Sequence, residues 1–172
     1  GTHLFSSAGQ RPLHLLALDS KVGGIELVWY APEVSSISSP IRSATGIAFI
    51  ASYDYEPRTQ IWHSNGLPGG TVAWTGEFPS SQRIHSSAEG APTLAFLGSH
   101  LFFLADCSEN EVGLYMTNGS ADSVRLVETL PRRPGQPDPW VFALGDKLFF
   151  PRADDDGLEL WVSNGNSGDG RK

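Results

Sequence analysis

The chain has 172 residues, a formal charge of −7 and 40% apolar residues, enough to bury one sizeable core or a row of small ones. No cationic run is longer than the two residues of Arg132–Arg133, so the basic footprint of a nucleic-acid surface is missing, and no apolar run approaches the roughly 20 residues of a membrane-spanning helix. The single cysteine, Cys107, excludes an internal disulfide and reads as a tolerated loop residue.

In chain order, short apolar runs recur with strand and turn chemistry between them. The chain opens at Gly1 without Met or a charged-then-apolar leader, and GTHLF (Gly1 to Phe5) matches GSHLF (Gly98 to Phe102). That reads as a start inside a repeating unit and as a piece of something longer. Leu13 to Val28 can be laid on Ile61 to Trp74 with a two-residue insertion, giving a degenerate first unit over about 1–43. Its Ser-rich end, EVSSISSPIRSA (Glu33 to Ala44), reads as a connecting strand or loop.

A second unit over about 44–91 carries IAFIASYDYEPRTQIWHSNG (Ile47 to Gly66) and the loop Leu67 to Gly70. The third, about 92–138, predicts strands at Thr93–Leu97, His100–Ala105, Gly113–Thr117 and Val124–Leu130. It ends at Pro131, Pro134, Pro137 and Pro139, which forbid a central strand. The fourth, about 139–172, repeats the third at a constant offset of 47: PWVFALGDKLFF (Pro139 to Phe150) lies on PTLAFLGSHLFF (Pro92 to Phe103). It stops after its third strand, because SGDGRK has no counterpart of VRLVETL.

The turns at Gly66, Gly119 and Gly165 are spaced 53 and 46 apart, around the period of four-stranded propeller blades. Their Asn-Gly pairs predict type I′ hairpins. The expected fold is all-β: one β-propeller domain or partial domain of four-stranded antiparallel blades. Three, four, four and three strands make about 3.5 blades, half of a ring of about seven. An open end leaves an apolar blade face exposed, so a companion segment or chain is expected to complete the ring.

At ELWVSNG (Glu159 to Gly165), and at GLPGGTVAW following IWHSNG, the chain resembles the bacterial ELWxxDGT repeat family. The resemblance covers Ile47 to Gly165, with Asn for the family's Asp at Asn65, Asn118 and Asn164, and with Tyr115 where Trp62 and Trp161 stand. It implies propeller-like modules of secreted or cell-surface proteins and transfers no catalytic residue.

Trp62, Tyr115 and Trp161 occupy one repeat position and, with Gly66, Gly119 and Gly165, read as structural. The non-repeating Trp29, Tyr30, Tyr53, Tyr55, Trp74 and Trp140, with His63 beside Trp62, are the candidate ligand-binding residues. Asp154, Asp155 and Asp156 with Glu159 offer hard oxygens to Ca²⁺, against a bland reading as a solvated turn. His3 and His100 take the position of Lys147 and read as exposed. Glu26, Glu77 and Glu128 are the acids from which glycoside chemistry would have to draw. Asn118-Gly119-Ser120 is a glycosylation sequon whose Asn-Gly is already explained by its turn. Three functions follow: a noncatalytic module recognising a protein or surface, a glycan-binding propeller, or part of a propeller glycoside hydrolase. The expected cofactor is none, with Ca²⁺ as the exception.

Overall fold

The computed structural model describes residues 2–6, 13–19, 24–53, 58–86, 91–133, 135, 139–154 and 157–172, and up to residue 26 the backbone alone. Among the described residues there are fifteen strands in four antiparallel sheets. The first sheet is β1 (Thr2–Ser6), β2 (Leu13–Asp19) and β3 (Gly24–Ala31). The second runs β4 (Val34–Arg42), β5 (Ile47–Tyr53), β6 (Arg58–Ser64) and β7 (Thr71–Ala73), with β8 (Phe78–Pro79) also on β6. The third is β9 (Leu94–Leu97), β10 (His100–Ser108), β11 (Glu111–Thr117) and β12 (Arg125–Pro131); the fourth is β13 (Phe142–Leu144), β14 (Lys147–Ala153) and β15 (Leu158–Ser163). Every sheet is a meander of consecutive strands. β9 touches both β4 and β13, so the first strands of the last three sheets converge on one another.

Turn chemistry explains the meander. Leu97 pairs with His100 across Gly98-Ser99, and Leu144 with Lys147 across Gly145-Asp146; Gly98 and Gly145 take φ of +61° and +63°. A glycine opening a two-residue loop at positive φ suits the twist of the strands it joins. The Asn-Gly turns differ from expectation. Gly66, Gly119 and Gly165 have φ of 82°, 99° and 86°, but Ser39 is the one non-glycine residue at positive φ among those described, so none of the three is a type I′ turn. Local side-chain bonds replace it. Ser64, Thr117 and Ser163 hydroxyls accept the amides of Gly66, Gly119 and Gly165 at 3.2, 3.1 and 2.8 Å. Asn65 and Asn118 then accept the amides of Leu67 and Ser120 at 3.0 and 3.2 Å.

Two further expectations are corrected. The Ser-rich stretch that was to close the first unit is β4, the first strand of the second sheet, so that sheet starts at Val34 and the break at 43/44 falls inside it. β4 lies against β9 where sheets converge, a place for small side chains; its register shifts between Ser38 and Ile41, where Ser39 stands at φ +51° beside Pro40. At the other end, Arg171 bridges Val162 through bonds of 2.8 and 3.0 Å, so SGDGRK begins to pair as a fourth strand would.

The core is a series of seams between neighbouring sheets. Phe49 pairs with Trp62, Phe103 with Tyr115 and Phe150 with Trp161 in one register, and all three phenylalanines are fully buried. Each faces the sheet before it: Phe49 lies with Val28 and Trp29, Phe103 with Ala48, Ile50 and Ile61, and Phe150 with Leu104, Leu114 and Met116. Burying one such ring contributes about 1.5–3 kcal/mol. Ile61, Leu114 and Leu160 are register equivalents on the opposite face. The first two are 0% exposed under the following sheet, whereas Leu160 is 54% exposed, with Leu144 at 68% and Leu158 at 46% nearby. The fourth sheet therefore shows solvent an apolar face that the second and third sheets bury.

Candidate functional site

The aromatic candidates are drawn into the seams. Trp29 lies 4.8 Å from Trp62 and 5.7 Å from Phe49, ring centre to ring centre, joining the first sheet to the second. Tyr53 donates to Gln60 at 2.8 Å, accepts the Trp62 indole N–H at 3.2 Å and carries the Arg58 guanidinium 4.5 Å above its ring. Burial raises its phenol pKa against the lowering effects of Trp62 and Arg58, so it stays neutral. Trp140 stacks on Phe142 at 5.4 Å and Phe142 on Phe149 at 5.2 Å, a ladder leading to the open apolar face. Tyr30 is 52% exposed, and Tyr55 lies outside the described residues.

His63 and Trp74 form one unit. Their rings are parallel within 5° and 4.4 Å apart, and the indole meets Phe96 edge-on at 5.9 Å. The His63 Nε2 lies 2.9 Å from the Ser43 hydroxyl and 3.3 Å from that of Thr45. Burial lowers its pKa, which favours a neutral ring beneath those hydroxyls.

Tyr115 stacks on Phe103 at 5.6 Å and its hydroxyl lies 3.3 Å from the Cys107 sulfur. Burial, followed by that contact, pushes its pKa up. Trp161 packs into the third seam with the Arg152 guanidinium 4.3 Å from its ring. Of the acidic loop, Asp154 accepts the Gly157 amide at 3.0 Å and closes the hairpin, while Asp155 and Asp156 lie outside the described residues; Glu159 pairs with Lys172. Glu128 is bound to Arg152 at 3.1 Å and Glu77 to Arg58 at 3.4 Å. The side chains of Glu26 and His3 lie outside the description.

Two groupings escape sequence reasoning. One ties the linker after β8 to the third sheet: His85 Nε2 lies 2.7 Å from Asp106 Oδ1, and Arg132 reaches the same oxygen at 2.8 Å. With His85 buried and its amide donating to Leu104, it reads as an anchor. The other is a cleft of about 490 Å³ between the third and fourth sheets, on the face of the hairpin turns. Leu97, Phe102 and Met116 give it an apolar side, and His100, Arg125 and Asp146 reach into its rim. The size lies in the range of small-ligand sites, which pair apolar walls with a few placed polar groups. Arg125 is exposed and has no ion pair among the described residues; Asp146 is paired with Lys147 at 3.4 Å. His100, expected to be exposed, is half-buried there.

Sheets of consecutive antiparallel strands, stacked through repeating aromatic seams and converging on their first strands, define a β-propeller fold. Among solved structures the chain is similar over 100% of its length to TolB from Acinetobacter baumannii, with 15% identity and a TM-score of 0.60, and spans 41% of that protein's length. It is also aligned, over 87% of this chain and 26% of the other, with Trypanosoma rangeli sialidase in complex with the inhibitor DANA, at 11% identity and a TM-score of 0.40. No family model matches the sequence, and a search of curated proteins finds no match. No described helix is long and apolar enough to cross a membrane.

Proposed function

We propose that this chain is a noncatalytic β-propeller binding module of a secreted or cell-surface bacterial protein, of the ELWxxDGT repeat type, that recognises a protein partner. The observation that carries this reading is the cleft between the third and fourth sheets, where an exposed Arg125, with no ion pair among the described residues, stands beside the side chains of Met116 and Phe102. Two of the acids that a glycosidase would draw on are tied elsewhere, Glu128 to Arg152 and Glu77 to Arg58. The rings that a sugar platform would use are half-buried against neighbours, as Trp29 is against Trp62 and Trp74 against His63. The Asp154 carboxylate accepts the Gly157 amide and closes its own turn.

A panel of chromogenic glycosides with a glycan array tests this reading. Neither turnover nor glycan signal is expected from the wild-type chain. Turnover abolished in Glu128→Gln, or a glycan signal lost in Trp74→Ala and Trp140→Ala, would overturn it.

The open face at Leu144, Leu158 and Leu160 supports a companion segment or chain that continues the ring to about seven blades. Light scattering on the native particle is expected to give a mass above the 18.5 kDa of the chain. A monodisperse particle of the chain's own mass, with those leucines shielded from hydrophobic dye, contradicts the companion.

A further inference from the structure

We infer that the cleft between the third and fourth sheets takes an aromatic side chain of a protein partner, whose neighbouring carboxylate pairs with Arg125. This rests on the binding-module reading and adds to it a place and a ligand chemistry.

Comparison of the two seams carries the inference. His63 pairs with Ala48 in the second sheet, and Met116 pairs with Phe102 at the same register of the third. Val72 faces His63 as Arg125 faces Met116. Gly119 and Gly165 are the turn glycines that the following sheet brings up to each. In the first of these seams an indole fills the space: Trp74 stacks flat on His63, and a Cβ on Gly119 would sit 3.1 Å from its Cε2. Two residues past Arg125, as Trp74 stands two past Val72, the third sheet has Val127, a small side chain 3% exposed within the core of the third seam. Phe102, in place of Ala48, takes up the contact with Gly165, where a Cβ would sit 2.6 Å from its Cζ. The space above Met116 and beside Phe102 is left as part of the cleft.

The neighbouring seam thus shows what such a site accepts: a flat ring lying on the residue at the Met116 position. Methionine is a soft and adaptable surface for an aromatic ring. The polar complement has also changed, from Val72 to Arg125, which has no ion pair among the described residues. A guanidinium prefers a carboxylate, which it can hold through two parallel hydrogen bonds. Asp146 does not cancel that preference, being paired with Lys147 at 3.4 Å. An aromatic residue with a carboxylate within reach satisfies both walls.

The test is a titration of the 172-residue chain, followed by backbone amide NMR, with three probes: N-acetyl-L-tryptophan, its carboxamide, and glucuronate. The acid is expected to shift the amides of Leu97, Gly98, Gly145 and Gly165 and to bind about tenfold more tightly than the carboxamide, the scale of one charge-assisted hydrogen-bond pair. Arg125→Gln, at an exposed position, is expected to erase the difference between acid and carboxamide. Equal affinity of acid and carboxamide for the wild type, a difference that survives Arg125→Gln, or glucuronate shifting these amides instead of the indole probes overturns the inference. If none of the probes enters the cleft while the glycan array and glycoside panel stay blank, this inference fails and the binding-module reading stands. Glycoside turnover lost in Glu128→Gln removes that reading itself.

Discussion

Phe103→Ala is expected to lower stability by about 3–5 kcal/mol, the usual cost of deleting a fully buried phenyl ring. Phe103 is 0% exposed and sits at the middle of the second seam. Its ring stacks on Tyr115 at 5.6 Å and meets Phe78 edge-on at 5.7 Å, while Ala48, Ile50, Ile61 and Ile84 close the far side. These neighbours belong to two sheets held by backbone ladders, so they cannot relax into the space, and the cavity persists. Since domains are typically stable by about 5–15 kcal/mol, one substitution removes a large share of the total. Urea denaturation reads the effect as a lower midpoint at unchanged slope. A loss below about 1 kcal/mol would show that the second and third sheets are not locked together through this ring.

Gly46→Ala is the second large effect. Gly46 precedes β5 with φ at +157°, and its amide oxygen accepts the Ser43 amide at 2.8 Å. A Cβ there would lie 1.9 Å from the Ser64 carbonyl oxygen and 2.8 Å from its carbon, both backbone atoms of a paired strand. Neither can move without breaking the β5–β6 ladder. Unfavourable φ costs about 1–3 kcal/mol and forced overpacking about 1–3 kcal/mol, so the expected loss is about 2–6 kcal/mol. Gly69→Ala is the control: it shares positive φ, at +72°, but a Cβ there meets nothing within 4 Å. Equal thermal midpoints for the two variants would remove the steric argument.

Much of the fold is legible in the sequence because the repeat shows which residues share a job. The third sheet's strands were expected within two or three residues of where they lie, since Leu101 to Ala105 is apolar throughout and Gly98-Ser99 leaves a two-residue loop. The common register of Trp62, Tyr115 and Trp161 follows from the same alignment. β4 was only half legible, its serines reading as strand or loop; its small side chains make sense only against β9. The Asn-Gly turns misled for a local reason. A hydroxyl just before the asparagine supplies a turn of its own, at Ser64, Thr117 and Ser163, and the sequence signal for it is the Ser/Thr-Asn-Gly triplet itself.

The candidate site was the less legible part. Non-repeating aromatics looked free to bind, yet Trp74 is spent on a seam and Trp29 on another. The cleft lies where the third sheet has no counterpart of Trp74, Val127 being buried in the core instead, and its lining comes from positions up to 69 residues from Leu97 in the chain, out to Asn166. A residue missing from a pattern signals nothing until the seam is seen.

Because each sheet is wound from adjacent strands, with its first three sheet-to-sheet joins made by the same few side chains, a stretch the length of the 47-residue offset is self-contained in its pairing. Duplication or loss of such a stretch in a gene leaves every surviving ladder intact and asks only that new neighbours accept one another's rings. The second and third sheets show one frame filled in two ways, by Ala48 and Trp74 in the one and by Phe102 and Val127 in the other.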